Sequence, residues 1–282
     1  MPTTLIHSAE LTTDQRVTLS KRLAGDLQDC GGHFRIQHAS TPNHAALEAL
    51  RAELHLDVNI LPADFNPASV GLLITDMDST LISIECVDEI ADYVGVKPQV
   101  AAITEAAMRG EIDFEASLRQ RVALLEGLST SALQQVYDDR LRLNPGAEAL
   151  IDGLKARGIK LALVSGGFTF FTDRLKIRLG LDFTLANVLA EKDGKLLGSV
   201  EGAIVGAETK ATYLTALCHE LDIHPAQVVA MGDGANDLKM LAVAGIGVAY
   251  HAKPAVRAQA DAALHHRGLD AVLDMLWTGE NS

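Results

Sequence analysis

Cysteine is scarce: the 282-residue chain has three, Cys30, Cys86 and Cys218, far apart and in no repeating spacing. That excludes a disulfide framework and a cysteine zinc motif, and leaves small thiols suited to a reducing compartment. Basic residues are also in deficit. Lys and Arg number 24 against 37 Asp and Glu, a net charge of −13, which opposes long-range capture of nucleic acid or an anionic membrane. An anionic substrate would then have to be held by particular cations. No run of about 18 apolar residues occurs, and the most apolar stretch, Met240 to Tyr250, is too short and glycine-broken to span a bilayer. The N-terminus, Met-Pro-Thr-Thr-Leu-Ile-His, has no basic region followed by an apolar one, so the expected location is cytoplasmic. Proline is sparse, at 8 residues, whereas 48% of the chain is hydrophobic. This suits one large or two modest globular domains.

The chain is organised around Val70-Gly-Leu-Leu-Ile-Thr-Asp76-Met-Asp78-Ser-Thr80-Leu. A short apolar run with β-branched members predicts a buried strand, and it stops at two carboxylates. Open α/β sheets bind ligands beyond the carboxyl ends of their strands. Asp76 and Asp78 are therefore expected at the mouth of a site. Such a pair can supply a nucleophile for phosphorus and a proton donor for the leaving group. A capping Asp-x-Asp loop, or an ordinary Mg²⁺ or Ca²⁺ site, accounts for the stretch equally well on its own.

Ile159 to Val164 predicts a second strand, ending at Ser165-Gly166-Gly167, and Gln227 to Met231 a third, ending at Gly232-Asp233-Gly-Ala-Asn236-Asp237. Ile246 to Ala249 and Ala262 to Leu264 are shorter candidates. Strands alternating with helices indicate a parallel sheet. The fold class is thus α/β, a Rossmann-like parallel sheet flanked by helices. Four helical patterns between Ile84 and Leu141 carry no strand among them. They predict a helical cap at about 84–144 over the active end of the sheet, excluding water and contacting substrate. A hairpin is expected within 184–205, turning at Lys192-Asp-Gly194.

Residues 1–68 form a separate small α/β unit in this reading, and 69–282 the main domain. Strands are expected at Thr3–His7, His33–His38 and Asp57–Leu61, with helices from Thr13 to about Leu27 and from Ala45 to Leu54. The stretch from Pro62 to Pro67 looks like a linker. No paired acids or glycine loop occur in the unit, so dimerisation, regulation or a purely structural role all fit it.

Phosphoryl transfer needs a nucleophile, neutralisation of the phosphoryl oxygens and an acid for the leaving group. Asp233 can join Asp76 in holding Mg²⁺, and Asp237 can orient a metal water or Lys210. Ser165 and the following N–H groups, taken to open a helix, make a phosphate cradle or an ordinary helix cap. Lys210 on its own is one surface lysine among many.

Asp76-Met-Asp78-Ser-Thr80, Ser165-Gly-Gly, Lys210 and Gly232-Asp233-Gly-Ala-Asn236-Asp237 together resemble, in order, the four motifs of the haloacid dehalogenase (HAD) superfamily. The likeness covers about residues 70–275. It is closest to the branch acting on phosphoserine, through Glu85 and Phe114-Glu-Ala-Ser-Leu-Arg-Gln-Arg121. The resemblance implies a Mg²⁺-dependent phosphatase hydrolysing O-phospho-L-serine, the last step of serine biosynthesis. It makes Asp76 the nucleophile and Asp78 the acid/base. Asp76, Asp233 and the Asp78 backbone carbonyl become metal ligands, with Asp237 behind them. Ser165, Gly166 and Lys210 would hold the phosphoryl oxygens, and Asn236 would touch substrate.

Glu85 and Arg121 would read the substrate's ammonium and carboxylate, a division that the planar guanidinium fork suits. Arg119 is the rival of Arg121; two residues apart on a helix, the two face different ways. Met108 and Phe114 are candidates for an apolar wall. Some bacterial members carry an ACT-like βαββαβ module at the N-terminus, a pattern that residues 1–68 fit only in part, and a homodimer is one expectation. Phosphohomoserine-directed phosphatase or phosphotransferase activity is the nearest alternative. A non-catalytic serine- or phosphate-sensing module is the alternative of another class.

Overall fold

A computed structural model describes residues 3–38 and 42–279, except for the side chains of His44 and Met108. Two sheets organise it. The first has the order β2-β3-β1-β4, from β1 (Thr3–His7), β2 (Leu27–Asp29), β3 (Phe34–Gln37) and β4 (Asp57–Leu61). All three pairings are antiparallel. Helix α1 (Thr13–Leu23) starts at Thr12, whose hydroxyl and Gln15 form a reciprocal capping box, and α2 (His44–Leu54) starts at Asn43. The chain order is therefore β-α-β-β-α-β in full. The strand missing from the sequence reading is β2. Helix α1 does not run on to Leu27 but closes at Ala24 in the left-handed region (φ 51°), and three residues with little burial then pair with β3.

The second sheet has seven strands in the order β11-β10-β9-β5-β6-β7-β8. In chain order these are β5 (Leu72–Thr75), β6 (Lys160–Phe168), β7 (Phe183–Lys192), β8 (Lys195–Glu201), β9 (Val228–Gly232), β10 (Ile246–Tyr250) and β11 (Ala262–Leu264). Every pairing is parallel except β7 with β8. Asp193 and Gly194, both at positive φ, close that hairpin, as a two-residue turn matched to strand twist requires.

Central strands β5 and β9 are buried along their whole length, the mark of a parallel sheet covered on both faces. Alternate residues face opposite layers. Leu72 and Ile74 pack with Leu214 and Leu217 of α9 (Ala207–Glu220) and Met240 of α10 (Leu238–Val243). Leu73 packs on the other side with Leu150 of α7 (Ala147–Ala156) and Leu175 of α8 (Thr169–Leu179).

Between β5 and β6 lie α3 (Cys86–Tyr93), α4 (Lys97–Met108), α5 (Phe114–Ala123) and α6 (Thr130–Asp139). Their apolar faces, with Ile90, Val100, Leu118 and Val136, join the core of the large sheet. The β7–β8 hairpin props this layer from below: the N–H of Gly127 donates to Leu196 O at 2.8 Å and that of Thr130 to Gly194 O at 2.9 Å. The chain ends in α11 (Pro254–Arg257) and α12 (Val272–Met275). No helix among the described residues is long and apolar enough to cross a membrane.

The two sheets meet along one seam. Ile6 and Phe34 face α1 and α2, whereas Leu5 and Leu61 point the other way into the core of the large sheet. The Asn59 side chain bonds both the N–H and the carbonyl of Ala263, at 2.8 and 2.9 Å, so an amide joins β4 to β11 as a strand would. His7 Nδ1 lies 2.8 Å from Asp274 Oδ2, and Arg35 donates to the Asp274 carbonyl at 2.7 Å while covering the Trp277 ring.

Candidate active site

Strand β5 lies at the switch point of the large sheet, with β6 on one side and β9 on the other. Ligand crevices of α/β sheets open there. The ends of these three strands converge on a pocket of about 780 Å³, lined on one side by the segment that carries α3, α4 and α5. Asp76, Asp78, Glu85, Arg121, Ser165, Gly166, Asp233 and Asn236 all line it. Lys210 and Asp237, both wholly buried, lie beneath.

Asp76 leaves β5 with its N–H bonded to Met231 O at 3.0 Å. Its Oδ1 accepts from the Met77 N–H at 2.8 Å and lies 2.7 Å from Lys210 Nζ. No described residue donates to its Oδ2 within the site. Burial first, and then the charge of Asp237, raise this carboxyl well above the ordinary range; Lys210 works against both. Lys210 sits equally close to Asp237 Oδ1, at 2.7 Å. Burial alone would lower the ammonium, but the two carboxylates outweigh it and raise it. The other Asp237 oxygen accepts the Gly234 N–H at 3.0 Å. Its carboxylate leans on Gly232, where any Cβ would meet it at about 2.5 Å or less, so that glycine is required.

Asp78 points elsewhere. Its Oδ1 accepts the Cys86 N–H at 3.1 Å, and its Oδ2 lies against Gly167, where a Cβ would come within 2.9 Å. Burial, reinforced by the charge of Glu85, lifts this carboxyl to about 7. A group at that value can give and take a proton near neutrality. Ser79, in the left-handed region at φ 57°, donates its hydroxyl to Glu85 Oε1 at 2.7 Å. Burial raises Glu85 in spite of that bond.

Arg121 also lies within the wall, and burial lowers its guanidinium. Its Nε–H donates to Ser117 O at 3.4 Å, and it makes no ion pair with a described residue. Arg119 points outward and pairs with Glu115 at 2.7 Å. Phe114 is part of the wall, packed on Gly166 and Gly206; the side chain of Met108 lies outside the described residues.

Ser165 is not at a helix start. Strand β6 runs on to Phe168 and α8 begins only at Thr169. A register shift between Val164 and Phe168 breaks the pairing with β7 and turns the Gly167 N–H back to Ser165 Oγ at 2.8 Å. Asn187 fixes this bulge, an arrangement the sequence reading did not foresee. Its amide donates to Gly166 O at 2.8 Å and accepts from the Val205 N–H at 2.9 Å. Thr80 and Asn144 were missed as well. Thr80 places its hydroxyl 3.4 Å from Asp233 Oδ1, and Asn144 donates to the carbonyls of Ser79, Thr80 and Ile82. Asn187 and Asn144 lie outside any motif and bond backbone groups, so no sequence signal marked them; Thr80 stands inside the Asp76-to-Thr80 motif, but nothing in that spacing marks its hydroxyl's reach to Asp233.

Oxygens of Asp76, Asp233 and Asp237 lie within 4.8 Å of one another, faced by one ammonium. Burial and the charge of Asp237 raise Asp233 to about 6. Clustered, under-neutralised carboxylates of this kind are a hard-oxygen donor set that suits a divalent cation.

The profile of the haloacid dehalogenase-like hydrolases matches residues 70–245. The chain belongs to this family. A phosphoserine phosphatase of Polaromonas sp. is 54% identical over 226 residues, 78% of this chain and 96% of that relative. A HAD family hydrolase of Salmonella enterica serovar Typhi superposes with a TM-score of 0.89 at 32% identity, covering 98% of each chain. A probable phosphoserine phosphatase of Vibrio cholerae, unliganded, gives 0.85 at 40% identity, covering 98% of this chain and 86% of that one. With 98% coverage, both structural likenesses take in the four-stranded sheet as well as the HAD domain. The HAD fold and its hydrolase chemistry thus have a small-molecule pocket at the expected edge of the sheet.

Proposed function

We propose that this HAD hydrolase converts O-phospho-L-serine and water to L-serine and phosphate. One observation carries the substrate: Glu85 and Arg121 line the same pocket as Asp76 and Asp78, and Arg121 makes no ion pair at contact distance with any described residue. An anion and a guanidinium on that wall match the ammonium and carboxylate of an amino acid whose phosphate reaches Asp76. The name of the Polaromonas relative points the same way.

Asp76 attacks phosphorus, and the bond from phosphorus to the serine oxygen breaks as the bond to Asp76 forms. The carboxylic acid of Asp78 gives its proton to the departing oxygen. A water molecule then attacks the aspartyl-phosphate, Asp78 takes a proton from it, and the Asp76 carboxylate is released with phosphate. Lys210 holds Asp76 in place and offsets charge on the phosphoryl oxygens, while Ser165 and Gly166 receive them. Asn236 contacts the substrate from the opposite lip. Carboxylates of Asp76 and Asp233, with the backbone carbonyl of Asp78, would hold Mg²⁺, and Asp237 would steady them from behind. The ion supplies neutralisation of phosphoryl charge when bound.

The same reading takes 1–68 as an ACT-like regulatory or dimerisation unit and 69–282 as the phosphatase domain, capped at about 84–144. It gives the enzyme a cytoplasmic setting and a homodimeric form, with neither nucleic acid nor membrane as a partner. Phosphate release from O-phospho-L-serine, with and without a chelator, tests the reaction. Release that depends on added Mg²⁺ is expected; none under any condition would refute the proposal.

A further inference from the structure

The seam between the two sheets carries a second, half-open pocket of about 330 Å³, outside the chemistry above. Glu48, Arg51 and His55 line it from α2 and its C-cap; Arg257, His265 and His266 line it from α11 and the segment after β11. The acids here are already engaged. Asp57, at the floor and 2% exposed, accepts the N–H groups of His265, His266 and Arg267 at 2.8, 2.9 and 2.8 Å. Glu48 pairs with Arg51. Arg51 is locked as well, donating to Val58 O at 2.7 Å and to Asn59 Oδ1 at 2.8 Å.

Arg257 is different. Its Nε is buried and has no hydrogen-bond partner among the described residues. A donor on a cation left in that state costs free energy that an anionic oxygen would recover. Three exposed imidazoles line the same pocket: His265 and His266 stand 5.1 Å apart and His55 and His266 6.2 Å apart, ring centre to ring centre. Burial, then the charges of Arg257, His266 and His251, push the His265 imidazole down, as crowded positive potential does. A pocket of this size takes a ligand of a few heavy atoms.

We propose that this pocket is a binding site for a small oxyanion, a carboxylate or a phosphate, gripped by Arg257 with the imidazoles that line it. The guanidinium fork suits either group. Because residues from both sheets line the site, an occupant cross-links them and stabilises their docking. Arg257 also ends the four-residue helix whose N-cap, Lys253, lines the catalytic pocket, so the two sites are one short helix apart.

Calorimetric titration of the full chain tests this, with inorganic phosphate in one arm and acetate in the other. Two phosphate-binding events are expected, one at each site. Arg257→Gln should weaken one of them at least tenfold and leave the other, and Arg257→Lys should restore part of the loss. Acetate competing for the Arg257 event would make the ligand class carboxylate; phosphate alone would make it phosphate. Melting by circular dichroism in anion-free buffer checks that Arg257→Gln folds. Should it not fold, anomalous scattering from wild-type crystals soaked in selenate decides, with a peak expected at Arg257. Unchanged binding of both anions in a folded Arg257→Gln chain, or no peak at that place, would overturn the proposal.

Discussion

Lys210 places its ammonium 2.7 Å from Oδ1 of Asp76 with no exposure to solvent, and is held from behind by Asp237 at the same distance. The carboxylate proposed as nucleophile is thereby fixed by a cation that substrate would not have to displace. Lys210→Met should leave two buried carboxylates uncompensated. Breaking such a pair costs about 3–5 kcal/mol, and losing a donor to developing charge costs about 10²–10³ in kcat. Urea unfolding and turnover measured on the same preparation check both. Wild-type stability in the variant would contradict the role of Lys210 in compensating these carboxylates.

The proposed recognition of substrate by Glu85 and Arg121 makes a different prediction. Arg121→Ala should lower kcat/KM for O-phospho-L-serine about 10- to 100-fold, the worth of a charge-assisted contact. Hydrolysis of a phosphomonoester lacking a carboxylate should change little. Glu85→Gln should act similarly through the ammonium. Equal losses on both substrates would remove the pair from recognition.

Asn187 is predicted to act through the backbone. Asn187→Ala leaves the Gly166 carbonyl and the Val205 N–H unpaired in a buried place, a cost of about 1–3 kcal/mol. KM should rise with it, because the bulge that presents Ser165 and Gly166 loosens. Steady-state kinetics and thermal unfolding together check this; lost stability at unchanged KM would make Asn187 merely structural.

The seam between the sheets should respond to acid. His33, buried and facing Asp274, Arg35 and His7, is lowered to about 4, chiefly by burial. The unfolded chain, with an ordinary value of 6.5, binds more protons between those limits, so stability rises with pH across that window and falls on acidification through it. His33→Gln should flatten this part of the stability curve. An identical slope in the variant would contradict the assignment.

Sequence legibility followed the range of the interactions. Strands β5, β6 and β9 were visible because their apolar runs end at polar loops, and the four cap helices because their spacing is periodic. Helix spacing shows that only one of Arg119 and Arg121 can face the pocket, but which one came from the motif resemblance alone. Lys210 carried no local mark: its burial comes from two acids far along the chain. The Ser165 segment was misplaced at a helix start because a strand bulge and a helix cap use the same Ser-Gly residues, and only pairing with Asn187 of β7 distinguishes them. Strand β2, three residues long and little buried, had no apolar alternation to reveal it.

The central claim is that Asp76 itself takes the phosphoryl group. The most direct measurement is turnover of O-phospho-L-serine by Asp76→Asn in saturating Mg²⁺, alongside its circular dichroism spectrum. A native spectrum with hydrolysis reduced to background is predicted. Hydrolysis at near wild-type rate would contradict the account.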